Sequence, residues 1–180
     1  SRLYLWGGSA GGHLAALAAL TCGTAEYAPP PSTGRLDRGE IAVQAATPLP
    51  RPDDCVQGVA LWYGVFDLER TPKVNVAALL GCDPARCRDR ARAASPLRRV
   101  TKAPPPMLIV HGTADATVDM AQSQALAAAL RKAGGVADLM LIPGVDHGFI
   151  GATPQATRDA SLLALDRTFA FFDQLRTRRE

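Results

Sequence analysis

The sequence predicts an α/β fold in three layers, a doubly wound parallel sheet with helices on both faces. Three observations point there. Strand-like and helix-like segments alternate along the chain, which is the pattern of βαβ units. Pro106 to His111 is a nearly continuous apolar run, as expected of a strand buried on both faces. A glycine-rich turn, Gly7-Gly8-Ser9-Ala10-Gly11-Gly12, couples the first strand directly to the first helix. Right-handed crossovers then distribute the helices over both sides of the sheet.

The elements follow in order. Arg2 to Trp6 reads as the first strand, and Ala10 to Leu20, rich in Ala and Leu, as the first helix. Gly23 to Asp54 carries many Pro, Gly, Thr and Asp residues, including Pro29 to Pro31, and reads as a long surface excursion. Val56 to Tyr63 is the second strand. A short helix near Val74 to Leu80 and an arginine-rich turn region precede the third strand, Pro106 to His111. Asp119 to Lys132 is a helix whose Ala125, Leu126, Ala129, Leu130 and Ala133 form one stripe, with Gly134 at the stop position. Asp119 and Gln122 have the spacing of a capping box. Ala137 to Ile142 is the fourth strand. The last helix, about Gln155 to Leu175, places Leu162, Leu165, Phe169 and Phe172 on one face.

Composition narrows the function classes. The 180 residues are 47% hydrophobic and 21% charged, ordinary for a globular domain and unlike a disordered or coiled-coil chain. Twenty Lys and Arg against seventeen Asp and Glu give +3, too small and too dispersed a surplus to point to a nucleic-acid partner. No apolar stretch approaches the roughly 18 residues of a membrane span. The four cysteines contain no C-x2-C pair and the three histidines are scattered, so no metal site is expected. Cys82 and Cys87 are close enough in sequence to bridge, and Cys22 and Cys55 flank the long excursion and can pair. Four buried thiols are the alternative. Two bridges would point to an exported protein.

The strongest chemical signal is Gly7-x-Ser9-x-Gly11 between a strand and a helix, the context a nucleophile elbow requires. The turn is so tight that Ser9 is expected in a strained backbone conformation, with the elbow glycines Gly7 and Gly11 letting strand and helix approach. Its Oγ then stands above the sheet. The backbone N–H of Ala10, at the helix start, is an oxyanion donor. The phosphate-binding alternative needs a glycine where Ser9 stands. A serine nucleophile needs a base and an orienting acid, here in the order serine, acid, histidine. His147 lies in Gly144-Val145-Asp146-His147-Gly148-Phe149 beyond the fourth strand, where the base belongs. His13 and His111 read as structural. Asp115 ranks first as the acid; Asp67, after the second strand, reads as a loop-fixing residue, and Asp146 is too close in sequence to reach the same imidazole.

Four blocks in this order carry a resemblance: GGSAGGHLA at Gly7 to Ala15, WYGVFDL at Trp62 to Leu68, ASPL at Ala94 to Leu97, and PPMLIVHGTADATV through DHGF between Pro105 and Phe149. The chain resembles the C-terminal part of an α/β-hydrolase of the carboxylesterase/lipase kind, the group that includes feruloyl-esterase-like and hormone-sensitive-lipase-like bacterial esterases. The resemblance implies a triad of Ser9, Asp115 and His147, an acyl-enzyme, hydrolysis of a small-molecule ester, and no cofactor. It also implies that residues 1–180 are the later part of a single domain, truncated before the elbow strand. The family's HGG-type motif, a source of oxyanion donors, would lie upstream of Ser1. A homodimer, or a second chain completing the sheet, is the expected consequence. A prolyl-oligopeptidase-type peptidase and a non-catalytic fragment of the same fold are the competing readings. The arginines Arg86, Arg88, Arg90, Arg92, Arg98 and Arg99, interrupted by Asp83 and Asp89, read as a solvated face rather than an anion site.

Overall fold

The computed structural model describes residues 2–24, 55–71, 75–101 and 103–177. The surface excursion expected between Gly23 and Asp54 lies largely outside these residues. Four parallel strands, β1 (Tyr4–Gly8), β2 (Gly58–Trp62), β3 (Met107–Gly112) and β4 (Ala137–Ile142), stand in the order β1-β2-β3-β4. Their register pairs Tyr4 with Gly58, Val59 with Met107 and Met107 with Ala137.

Alternation along the strands sorts the core into two layers. Val59, Leu61, Met107 and Ile109 face α1 (Ala10–Leu20) and α4 (Ala121–Lys132), where Ala16, Ala19, Leu126, Ala127 and Leu130 pack on them. Ala60, Leu108, Val110 and Ile142 face the long α5 (Pro154–Thr177) on the other side. β3 is buried at every position, as its unbroken apolar run requires. Gly134 ends α4 in the left-handed conformation, φ 83°, which a residue lacking Cβ adopts without strain. Between β2 and β3 the chain forms α2 (Ala77–Leu80), α3 (Arg88–Ala93) and a 3-10 turn, Pro96–Arg99, around a small core of Val65, Leu68, Val76, Leu80, Ala91 and Val118. Both disulfides are formed, Cys22–Cys55 and Cys82–Cys87.

Two expectations are corrected. The stripe Leu162, Leu165, Phe169 and Phe172 is not the buried face of α5. Leu162 and Phe169 are exposed, while Ala160, Ala164, Thr168 and Phe171 are buried. That side of the sheet already carries Trp62 and Met140, with Phe149 from the turn after β4, so Ala160, Ala164 and Thr168 approach it beside Phe171, and Trp62 Nε1–H donates to Thr168 Oγ1 at 3.1 Å. The capping box at α4 is also not formed. Asp119 does accept from Ala121 N at 2.8 Å, but the Gln122 side chain turns away to the loop after β2.

Candidate active site

The site is assembled at the C-terminal ends of the strands. Ser9 stands between β1 and α1 with φ 52° and ψ −120°, a region that costs a non-glycine residue on the order of 1–3 kcal/mol. The surroundings over-determine it. Its N–H donates to the Trp62 carbonyl at 2.9 Å, and its own carbonyl accepts the first helical bond, from His13 N at 3.1 Å. A Cβ at Gly7 would collide with the Gly11 carbonyl, and one at Gly12 would lie 3.1 Å from the carbonyls of Gly7 and Trp62. Gly11 itself faces open space, so the steric demand placed on it from the sequence falls on Gly12 instead. Ala10 opens α1, and its N–H has no acceptor within the helix.

The structure brings Ser9, His147 and Asp115 together. His147 Nε2 is 2.9 Å from Ser9 Oγ, across 138 residues of sequence, and its Nδ1 is 2.8 Å from Asp115 Oδ2. With the Nδ1 proton donated to the carboxylate, Nε2 presents its lone pair to the serine hydroxyl. This arrangement can withdraw a proton from Ser9 and stabilise the imidazolium that results. The Asp115 side chain is inaccessible to water, and its Oδ1 accepts from the backbone N–H groups of Thr117 and Val118 at 2.9 and 2.8 Å.

Three side chains that sequence reasoning left in minor or no roles shape the site. Asp146 Oδ1 accepts from Ala116 N and His147 N, both at 2.7 Å, and so stitches the loop bearing the acid to the loop bearing the imidazole. Tyr63, at φ 36°, sets its ring edge-on to His147 with centroids 4.8 Å apart. A Cβ at Gly8 would lie 3.0 Å from the Tyr63 hydroxyl, so a side chain there would press on this ring. Burial, and then the Asp115 charge, push the Tyr63 pKa up and keep the phenol neutral. No periodicity signals a strained tyrosine; only its place at the end of β2 hints at it. His111 is fully buried beneath Asp115, 3.2 Å from its Oδ2.

The remaining candidates have structural partners. His13 Nε2 bonds the Ala94 carbonyl at 2.7 Å, tying α1 to the ASPL segment. Ser95 Oγ accepts from Leu68 N at 2.9 Å. Asp67 accepts from Glu69 N and from Arg98, as a loop-fixing residue does. Arg70, Arg88, Arg92 and Arg98 line an open cavity of about 380 Å³, where Arg92 and Arg98 pair with Glu69 at 3.3 and 3.2 Å, an ion-pair network at the surface. Among the described residues no cluster of His, Cys, Asp and Glu is built to hold a metal ion, and no helix is long and apolar enough to cross a membrane.

A parallel sheet flanked by helices, with serine, carboxylate and imidazole in this chain order at the strand ends, defines the α/β-hydrolase class. The chain belongs to the family described as BD-FAE, which matches residues 1–130. It is 34% identical over 151 residues to the esterase LipQ of Mycobacterium tuberculosis (strain ATCC 25618 / H37Rv), covering 79% of this chain and 32% of that protein. It is 32% identical over 156 residues to the esterase LipC of the same organism, covering 79% of this chain and 34% of that one. The chain thus spans about a third of the length of these curated relatives. Among solved structures it is similar to a truncated carbohydrate esterase from gut microbiota, with 28% identity and a TM-score of 0.60 over 94% of this chain and 60% of that one. It is also similar to the propionate-bound esterase Est2 of the planctomycete Thermogutta terrifontis, with 26% identity and a TM-score of 0.61 over 96% of this chain and 55% of that one.

Proposed function

We propose that the protein hydrolyses carboxylic esters through an acyl-enzyme formed on Ser9. The observation that carries this reading is the continuous hydrogen-bonded relay from Ser9 Oγ through His147 to the buried Asp115. Ser9 Oγ attacks the ester carbonyl as His147 Nε2 takes its proton. The oxyanion forms against the Ala10 N–H, at the positive end of α1. His147 returns the proton to the leaving alcohol, the alcohol departs, and water, deprotonated by the same imidazole, releases the acid. Asp115 holds the imidazole and stabilises the imidazolium. Esterase names among the relatives support ester over peptide hydrolysis, and the propionate and butyrate bound to the Thermogutta enzyme support a short acyl chain. Feruloyl-type aryl esters are the other substrate class within this reading.

The finer readings rest on single observations. The two disulfides support an oxidising, exported location. β1 forms one edge of the sheet among the described residues, with Leu3 and Trp6 exposed, which supports pairing of a further strand there, from a second copy or another chain. Sedimentation velocity separates these from a monomer.

The test of the activity is covalent. A fluorophosphonate probe should label Ser9, located by mass spectrometry of the modified peptide, and hydrolysis of p-nitrophenyl propionate should fall by about a millionfold in Ser9→Ala. Labelling at another residue, or turnover by the variant close to wild type, would overturn the assignment. A series of p-nitrophenyl esters beside methyl ferulate decides the acyl preference.

A further inference from the structure

His111 lies at the end of β3, buried to 0% exposure, on the opposite side of Asp115 from His147. Its Nε2 is 3.0 Å from the Val118 carbonyl and 3.2 Å from Asp115 Oδ2, and its Nδ1 is 2.6 Å from Ser123 Oγ on α4. A carbonyl oxygen only accepts, so Nε2 carries the proton. Burial above all lowers the His111 pKa, so the ring is neutral and Nδ1 accepts from the Ser123 hydroxyl. One tautomer is therefore locked from both ends. Its Nε2–H bonds the Val118 carbonyl, and Asp115 Oδ2 lies 3.2 Å from the same nitrogen.

The Asp115 carboxylate has about four acceptor sites, and four donors face them. Thr117 N and Val118 N take Oδ1. His147 Nδ1 donates to Oδ2 at 2.8 Å, and His111 Nε2 faces the same oxygen at 3.2 Å. Three of these four donors belong to the chain around Asp115 itself, and only His147 lies on the distant loop after β4. Without His111, Oδ2 would be held only by the imidazole that it has to orient. A carboxylate free to pivot about its own backbone anchors would carry His147 with it, and a misplacement of about 1 Å in such a relay costs on the order of a hundredfold in rate.

We propose that His111 is a positioning residue of this site: from the core side it donates to Asp115 Oδ2 and holds that carboxylate in the orientation His147 requires. The proposal rests on the ester-hydrolase reading for its kinetic consequence, but not for its structural one. Ser123 is part of the same device, because its hydroxyl donates to Nδ1 of the tautomer that the Val118 carbonyl fixes.

The experiment compares full-length wild type with His111→Leu, His111→Gln and Ser123→Ala. Two quantities are read: kcat and KM for a p-nitrophenyl ester, and the low-field proton NMR resonance of the His147 Nδ1–H donated to Asp115. His111→Leu is expected to lower kcat by about ten- to a hundredfold with KM changed less than twofold, and to move or broaden the resonance. His111→Gln, whose amide can donate from nearly the position of Nε2, is expected to recover most of both. Ser123→Ala, a small change at a helix position, is expected to give a weaker effect of the same kind. Equal losses in the Leu and Gln variants would reduce His111 to packing and overturn the proposal. So would an unmoved resonance in Ser123→Ala together with any folded His111 variant. Should the wild type show no turnover, the resonance arm still decides, so a failed esterase reading is distinguishable from a failed positioning role.

Discussion

The loops that leave β2 and β3 are built to one plan and end in different chemistry. Each has a glycine at the strand end, Gly64 or Gly112, and each places an aspartate three residues on, Asp67 or Asp115. Both carboxylates are nearly inaccessible, with side-chain exposures of 5% and 0%. Each accepts the backbone N–H two residues ahead, from Glu69 at 3.1 Å and Thr117 at 2.9 Å. A side chain from elsewhere staples each loop. Gln122 holds the first, accepting from Phe66 N and Asp67 N at 2.8 and 2.7 Å and donating to the Arg70 carbonyl at 2.8 Å. Asp146 holds the second.

The difference lies in what meets the remaining oxygen. Asp67 Oδ2 meets the Arg98 guanidinium at 3.2 Å, and Asp115 Oδ2 meets two imidazoles. A guanidinium stays protonated at any working pH, so a carboxylate clasped by it can only anchor a loop. An imidazole exchanges a proton near neutrality, so the same carboxylate beside it can orient a base. Position after a strand nominates both aspartates for catalysis; the partner separates them.

The sharpest way to break this comparison is to neutralise each aspartate in turn. Asp115→Asn should lower kcat for a p-nitrophenyl ester by roughly ten-thousandfold, because the amide favours the wrong tautomer of His147. Asp67→Asn should leave kcat within about threefold and lower stability by about 1 kcal/mol, a small figure because Arg98 is 39% exposed and water screens the pair. A reversed outcome would place the acid after β2.

The staple of the β2 loop offers a second contrast. Gln122→Ala leaves the N–H groups of Phe66 and Asp67 buried without acceptors, and should cost about 2–3 kcal/mol in urea unfolding while kcat per folded molecule is kept. A comparable fall in kcat would mean that the β2 loop supports the chemistry after all.

The Cys82–Cys87 bridge also belongs to the β2 side alone. Opening it with Cys82→Ser and Cys87→Ser together removes the constraint of a short loop, worth roughly 2 kcal/mol, and should leave kcat for a p-nitrophenyl ester unchanged.

The smallest effect is a pH signature carried by His111 on the β3 side; the chain between β2 and β3 up to residue 106 has no histidine of its own. Burial sets the folded pKa of His111 below its ordinary value near 6.5, so the unfolded chain binds a proton that the fold refuses. Stability from this group is complete above about pH 6.5 and is lost as the pH falls below it, at no more than about 1.4 kcal/mol per pH unit. Thermal melts between pH 7.5 and 5 should show this decline in the wild type and a flatter one in His111→Gln. Parallel curves would mean that the buried ring does not titrate on unfolding in that range.

Strand existence, helix order and the elbow were legible in the sequence because each is a local pattern. β4 and α1 have the residues their patterns indicate, Ala137–Ile142 and Ala10–Leu20. The aspects that were misread depend on a neighbour. The buried face of α5 follows from the bulk already present on the sheet side beneath it, so Leu162 and Phe169 of the expected stripe stay exposed while Phe172 packs. Gln122 reads as a cap from its spacing to Asp119, but bare backbone donors in the adjacent loop offer it better partners. The strain at Tyr63 has no sequence pattern at all.

By itself the sequence determined the alternation of strands and helices, the Gly7-x-Ser9-x-Gly11 turn, and the order of serine, carboxylate and histidine along the chain. Those are matters of residue type and spacing, which steric preference and hydrophobic periodicity turn into structure over short distances. Only the tertiary structure decided which aspartate faces an imidazole and which faces a guanidinium, which histidine reaches Ser9 and which lies behind Asp115, and which cysteines join. Hydrogen bonds act over about 3 Å and in fixed directions, and the groups they connect here lie up to 138 residues apart. Packing of the four strands is what brings those groups within reach.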